Sequence, residues 1–503
     1  MAAAMVFPGA NTLAASLELR PEDHVVLVGG AMADRMQHTG YFESLVHAAF
    51  PDHKLVFRNL AAAGDEVATR HRSENFGSPD DWLRRTKADV ILGFFGANEA
   101  AKGPAGIDGF KKDMAAWIRH VRAENYSGKG APRVALVSPV LQERHKDPNF
   151  ADPGPMNAHI RLYAAAMAEV AKAEGVPFVD LVGESEARYA AAAASGRSLT
   201  VNGYLLSPEG DAALAPALFS GLTGKAAPTT SVDKLRAAVN EKNAQWHQRY
   251  RTIDGYNVYG GRSALAYQPA KGGFVSDRNA PAPYVSNYKT MQEEMAVRDQ
   301  LTANRDPVVW AAAHGREVEP NDSNLPKVQP VATNKTGTKP DGAHEFLSGE
   351  AAISKMTVHS GMKVNLFASE EQFPALVKPV QMAWDTKGRL WVAAWPNYPE
   401  RTPDSKVGDS LLVFEDTNGD GKADRCTPFI DELNGPTGFQ FYKDGVLIVQ
   451  APDLWFVRDT DGDGKADWKE RVLMGLDSAD SHHTSNAVVL DPGGDRKSTR
   501  LNS

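Results

Sequence analysis

Leu411–Asp424 reads LLVFEDTNGDGKAD, and Leu454–Asp467 reads LWFVRDTDGDGKAD. The copies stand 43 residues apart, from Asp416 to Asp459, a period typical of repeat architectures and of propeller blades in particular. Each copy is a short apolar run, rich in β-formers, entering an acidic Gly-rich loop. The neighbouring sequence keeps the same period. Met382–Val392 (MAWDTKGRLWV) and Phe439–Val449 (FQFYKDGVLIV) each read strand, turn, strand, and Asn486–Gly494 (NAVVLDPGG) opens a third unit. The spacing predicts a truncated β-propeller over residues 346–494, with about two blades.

The loops carry oxygen-ligand chemistry. In the second copy Asp459, Asp461, Asp463, Gly464, Asp467 and Glu470 fit D-x-D-x-D-G-x5-E. Carboxylates at alternate positions can converge on one hard cation. The glycine allows the sharp turn, Lys465 offers its backbone carbonyl, and Glu470 closes the set as a bidentate ligand. The first copy has Asp416, Asn418, Asp420, Gly421, Lys422 and Asp424, but Thr427 stands where the closing glutamate would be. Calcium is expected at both, more weakly at the first. No helical pattern precedes either loop, so the reading is of stapled strand connections and not of a helix-loop-helix sensor.

A chain of 503 residues has room for two or three domains. Its hydrophobic fraction of 42% and charged fraction of 23% are those of ordinary globular protein. The net charge of −8 gives no reason to expect nucleic acid or an anionic membrane surface as partner. Cys426 is alone, which excludes an intrachain disulfide and a C-x-x-C-H haem site in this sequence. No apolar run reaches the ~18 residues of a membrane span. Residues 1–20 are small and mildly apolar, without the basic start of a signal peptide, and are read as an extension or an internal start of a longer gene. Residues 495–503 (DRKSTRLNS) break the β pattern. They resemble a translated sequencing-adapter read-through and are expected to pack on nothing.

Residues 21–225 alternate apolar strand runs with helices. His24–Gly29, Lys54–Leu60, Ala88–Phe95, Arg133–Pro139 and Val176–Leu181 are the strands. Continuous apolar strands separated by helices imply a parallel sheet covered on both faces, a three-layer α/β/α domain. Four blocks resemble SGNH (GDSL-like) hydrolases: Gly29 opens the first, Gly64 matches the second, Gly96-Ala97-Asn98-Glu99 the third, and Asn202-Gly203-Tyr204-Leu205 the closing D-x-x-H. The resemblance implies a serine nucleophile, a histidine base, an orienting aspartate, and Gly and Asn as oxyanion donors. Here Ala31 occupies the serine slot, Asn202 the aspartate slot and Leu205 the histidine slot. Only Gly64 and Asn98 of the oxyanion set remain, so the fold is expected without ester hydrolysis. A rewired site would draw on His24, His38 or His145, each read as a surface polar residue.

Residues 226–345 read as a helical region and linker. Val232–Tyr250 has helical apolar spacing, Thr252–Ser263 is a Gly/Tyr-rich loop, Tyr288–Thr302 is a helix with Met291, Met295 and Leu301 as its packing stripe, and Asn321–Gly342 is the interdomain linker. Residues 225–494 resemble a family of membrane-bound dehydrogenases, large extracytoplasmic multidomain proteins. Arg251–Arg262 (RTIDGYNVYGGR), Phe346–Glu370, Pro379–Tyr398 and the two acidic loops carry that resemblance. It implies a propeller related to quinone-dependent glucose and sorbosone dehydrogenases, pyrroloquinoline quinone as cofactor, a periplasmic or secreted location, and a c-type haem domain outside this sequence.

The resulting expectation is a degenerate SGNH-like domain, a helical linker and a partial propeller from a sugar- or polyol-oxidising parent. In Asp480–Asn486 (DSHHTSN), His483 matches the family's catalytic base, with Asp480 or His482 to orient it. The rival readings are a carbohydrate-binding or scaffolding protein without catalysis, and an SGNH esterase.

Overall fold

The computed structural model describes residues 16–145, 150–268, 273–276, 287–329, 337, 339–399, 401–481, 483–490 and 496–500. These fall into two compact units. The first comprises the chain to Arg72, Gly77–Tyr250 and Asp299–Asn324; the second comprises Ser73–Phe76, Arg251–Arg298 and the chain from Leu325.

In the first unit β1 (His24–Gly29) is followed by α1 (Ala31–Thr39), α2 (Tyr41–Ala49), β2 (Val56–Asn59), α3 (Pro79–Arg85), β3 (Val90–Phe94), α4 (Ile107–Ala123), β4 (Arg133–Val137), α5 (Gly154–Glu174), β5 (Phe178–Val179), α6 (Val182–Ala194), α7 (Pro208–Thr223) and α8 (Asp233–Tyr250). The sheet is parallel throughout, in the order β2-β1-β3-β4-β5. Val90–Leu92 and Ala135–Val137 are at most 1% exposed, as strands covered on both faces must be. α1 and α2 both pack on α7 and α8, and α4 packs on α5, completing the three layers. The order reverses between β1 and β3, and in such sheets the crevice lies beyond the carboxyl ends of those two strands.

Three differences from expectation concern what this unit includes. Leu17, placed by sequence in an extension, is buried and donates its N–H to Leu222 O at 2.8 Å. α8 and the last part of α10 (Asn287–Ala313, introduced below) belong to this unit and not to a linker region. The reason is the edge strand β2, whose outward carbonyls need donors. Trp310 Nε1 donates to Leu55 O at 2.8 Å, Lys242 Nζ to Phe57 O at 3.3 Å and Trp246 Nε1 to Asn59 O at 2.7 Å. Two buried ion pairs fix the same helices: Lys242 with Glu43 at 2.6 Å, and Arg58 with Asp306 through 2.9 and 2.6 Å bonds.

The second unit holds the short helix α9 (Gly255–Val258), the hairpin β6 (Leu265–Gln268) and β7 (Gly273–Ser276), the first part of α10, and α11 (Gly349–Ser354). Met291 and Met295 are buried with Val258, the packing role expected of them. Two antiparallel meanders follow. β8 (Pro379–Trp384), β9 (Leu390–Ala394), β10 (Asp409–Glu415) and β11 (Arg425–Leu433) form one four-stranded sheet; β12 (Gly438–Tyr442), β13 (Gly445–Gln450), β14 (Asp453–Arg458) and β15 (Trp468–Leu473) form the other. Alternation divides each between two cores. Leu411, Val413, Trp391 and Ala393 pack against Phe439, Val446 and Ile448 of the second sheet, while Leu412, Phe414 and Val392 turn to the opposite side.

The expected propeller is thus present only as two open four-stranded sheets, which do not close on themselves. The expectation for the last residues is also corrected. β16 (Ser485–Leu490) pairs antiparallel with β17 (Arg496–Arg500), Val488 opposite Ser498. An edge pairing needs only backbone donors and acceptors, so a polar sequence can make it.

Candidate functional site

In the first unit the four motif blocks converge at the carboxyl ends of β1 and β3. Gly29 has φ +129°, and a side chain there would meet Phe94 O at 2.0 Å. Gly30 N donates to Phe94 O at 2.9 Å, which fixes the sharp exit into α1. Ala31, in the nucleophile slot, is the first residue of α1 and is 3% exposed. Asn98 Nδ2 donates to Ala63 O and Asp65 O, both at 3.0 Å, on either side of the open Gly64 turn. Tyr204 OH lies 3.4 Å from Asn98 Oδ1. The closing block therefore reaches the third block, as the SGNH arrangement requires.

Its own members are turned inward. Asn202 Oδ1 accepts from Tyr204 N at 3.1 Å and Leu205 N at 2.9 Å, and Leu205 is buried. Glu143 holds the loop before it, accepting from Leu199 N at 3.0 Å and Thr200 N at 2.8 Å. Glu99 accepts from Gly96 N and Val67 N, both at 2.9 Å, and burial raises its carboxyl above the usual range. The cleft frame is complete, but Ala31 has no lone pair with which to attack and Leu205 cannot take a proton. The histidines considered as substitutes stand elsewhere. His24 opens β1 at the opposite end of the sheet, with Nδ1 2.7 Å from Thr86 O; burial lowers its pKa. His38 lies in the last turn of α1 against His247, and His145 against Phe150.

The acidic loops of the second unit share one conformation. Asp416 accepts from Gly419 N at 2.7 Å and Gly421 N at 2.8 Å; Asp459 accepts from Gly462 N at 2.6 Å and Gly464 N at 2.9 Å. Asn418 and Asp461 each accept from the amide two residues on, as do Asp420 and Asp463, whose partners are Lys422 N and Lys465 N. Asp424 and Asp467 hold the N–H and hydroxyl of Thr417 and Thr460. In the second loop one ligand atom each from Asp459, Asp461 and Asp463 lies within 4.8 Å of the others. Asp467 is engaged with Thr460, and Glu470 stands on β15 opposite Phe456.

His483 precedes β16. Its N–H donates to Asp480 Oδ1 at 3.1 Å, and its Nδ1 is 3.4 Å from Asp480 Oδ2. Of the two residues expected to orient His483, Asp480 is thus the one seen in contact with it; His482 lies outside the described residues. Sequence reasoning missed the group behind it. Asp254 is buried, and burial with the neighbouring Asp480 charge pushes its carboxyl up to about 6. Asp254-Gly255 reads locally as a turn, and only the RTIDGYN motif around it was a signal. Cys426 sits in β11, its thiol pushed up to about 11 by burial.

A parallel 2-1-3-4-5 sheet with these blocks at its carboxyl edge defines an SGNH-type hydrolase fold. The N-terminal domain is accordingly GDSL-like: residues 10–213 match the GDSL-like Lipase/Acylhydrolase family. Residues 348–496 match a domain of unknown function, DUF7133. Among solved structures, a catalytic mutant of Axe2, an acetylxylan esterase from Geobacillus stearothermophilus, aligns at 14% identity and TM-score 0.32, over 42% of this chain and 100% of that one. A protein from Parabacteroides merdae described as a GDSL-like lipase aligns at 12% identity and TM-score 0.34, over 41% and 99%. A gut microbial diltiazem-metabolizing enzyme, BT4096, aligns at 15% and 0.32, over 41% and 48%. No curated protein matches the chain. Among the described residues no helix is long and apolar enough to cross a membrane.

Proposed function

We propose that this chain is an extracytoplasmic two-module protein that keeps an esterase fold without esterase chemistry and carries a dehydrogenase-type base in its second module. The observation behind the second part is the Asp480 carboxylate on His483, at 3.4 Å from Nδ1. An oriented imidazole can take the proton of a sugar or polyol hydroxyl while the hydride on its carbon passes to an electron acceptor. Two four-stranded meanders repeating at 43 residues, Asp416 to Asp459, support a blade-like module, and the acidic turns would be its calcium staples.

The quinone implied by resemblance is a separate matter. The group that contacts His483 is a carboxylate, and a second carboxylate, Asp254, lies beside it. A cofactor bearing carboxylates of its own gains no attraction from them, so these residues do not fit it and no step is derived through it. The test is dye-coupled oxidation of sugars and polyols by the full chain supplied with calcium, the dye serving as the electron acceptor. His483→Ala should abolish any activity found and Asp480→Asn should reduce it; unchanged dye reduction in His483→Ala rules His483 out as the base.

The reading of the first module as non-hydrolytic rests on Ala31 and Leu205. Binding of acetylated xylo-oligosaccharides without their hydrolysis would support it. Turnover of short p-nitrophenyl esters by the purified chain would refute it.

A further inference from the structure

Two stretches far apart in sequence meet inside the second unit. Gly255 N donates to Ser478 O at 3.1 Å, Tyr256 N to Ala479 O at 2.6 Å, and Ser478 Oγ to Thr252 O at 3.3 Å. These bonds set the α9 turn against the loop that ends in His483. Asp254, which precedes α9 in left-handed backbone at φ +66°, is 1% exposed. Its carboxylate accepts from Asn257 Nδ2 at 2.5 Å through Oδ2 and is also reached by the Ser481 backbone N–H, while its Oδ1 is buried without a close partner. Asn257 is 8% exposed, and its Oδ1 is likewise without a partner. The Asp480 carboxylate is the third oxygen group, close enough for its charge to act on Asp254.

Buried acceptors are almost always paired, and an unpaired one calls for an ion, a water or a chemical role. Here two occur in side chains joined by a hydrogen bond, one of them on a carboxylate, with the Asp480 charge acting on that carboxylate. Arg262 is the cation that acts on Asp254, but it lies over the Tyr256 ring at 5.4 Å, so its charge is already shared with an aromatic face. All the available donors are oxygens, which suit hard cations and not zinc.

We propose that Asp254, Asn257 and Asp480 hold a hard divalent cation, calcium or manganese, at a site separate from both acidic turns. The Asp480 carboxylate serves two neighbours in this arrangement, the cation on one side and His483 on the other. The proposal stands whether or not His483 acts as a base.

The test is calorimetric titration of the full chain with calcium and with manganese after silencing both turns by Asp416→Asn, Asp420→Asn, Asp459→Asn, Asp461→Asn and Asp463→Asn. One equivalent should still bind, and adding Asp254→Asn should weaken it at least about tenfold. Asn257→Asp adds a ligand charge and should tighten binding, with a larger rise in melting temperature on adding calcium. In the intact chain, where the turns remain, Asp254→Asn should lower the stoichiometry by one equivalent. A silenced protein with native circular dichroism that binds no cation overturns the proposal. So does a residual site, or an intact-chain stoichiometry, that Asp254→Asn leaves unchanged.

Discussion

In the first unit the cleft frame is intact and the reacting atoms are gone. Gly29, Gly30 and Gly64 keep the turns, and Asn98 ties the second block to the third through Ala63 O and Asp65 O, yet the slots that would do chemistry hold Ala31 and Leu205. In the second unit the reverse holds. His483, Asp480 and the acidic turns offer reactive or ligating side chains, while the sheets that carry them are open. The difference teaches that a frame and its chemistry are maintained by different forces. Burial and paired backbone groups hold the first unit's cleft, whether or not anything reacts there; local hydrogen bonds hold the second unit's loops without a closed scaffold around them.

The strongest way to break this comparison is to damage the frame itself. Asp306→Ala leaves the buried Arg58 guanidinium unpaired and should cost about 3–5 kcal/mol of stability, measured by urea unfolding. Refilling the slots should do the opposite, adding chemistry at little structural cost. The triple change Ala31→Ser, Asn202→Asp and Leu205→His should raise p-nitrophenyl acetate hydrolysis on the order of 10²-fold over the native chain, about 3 kcal/mol in barrier. No gain in a folded triple variant would mean that the frame too has drifted from the hydrolase geometry.

A smaller effect tests burial within that frame. Asp211 is buried, and desolvation pushes its carboxyl up to about 6, with Arg35 and Arg236 opposing the rise. In the unfolded chain it would ionise near 4, so between ~4 and ~6 a rising pH favours the unfolded state; above 6 the loss is complete. Asp211→Asn removes this dependence and should gain about 2.7 kcal/mol relative to the native chain between pH 4 and 7.

The smallest effect separates the two acidic turns. Their backbones are tied by the same Asp-to-amide bonds, but Asn418 stands where the second turn has Asp461. The second turn should therefore bind calcium roughly tenfold more tightly, about 1.4 kcal/mol. Asn418→Asp should close the gap, read as calcium-dependent rises in melting temperature.

Much of this organisation is legible in sequence because its cause is local. The apolar runs of β1, β3 and β4 announce a covered parallel sheet, and the paired strand-turn-strand stretches became β8–β9 and β12–β13. β11 and β15 were not read: RCTPFIDEL and WKERVL lie largely half-buried or exposed, so no clean alternation marks them. Nor does helical spacing say what a helix docks on. Besides Trp246, α8 attaches through Lys242 and Asn243, groups that in sequence suit a solvent face. The acidic turns could be found from their spacing, and the blocks of the cleft from their resemblance to SGNH hydrolases. Asp254 could not, because its burial depends on a loop more than 200 residues away.

The capped edge of β2 has a bearing on how the protein is made. Its carbonyls are satisfied by Lys242, Trp246 and Trp310, and the first unit extends to Asn324. A ribosome that has finished α7 has therefore built the whole sheet but not the groups that seal its side. At ~5–20 residues per second, the remaining hundred or so residues of this unit take about 5–20 s to appear. Throughout that interval the nascent chain presents an open strand, with Glu43 lacking Lys242 and Arg58 lacking Asp306, the state in which a holdase chaperone would engage it.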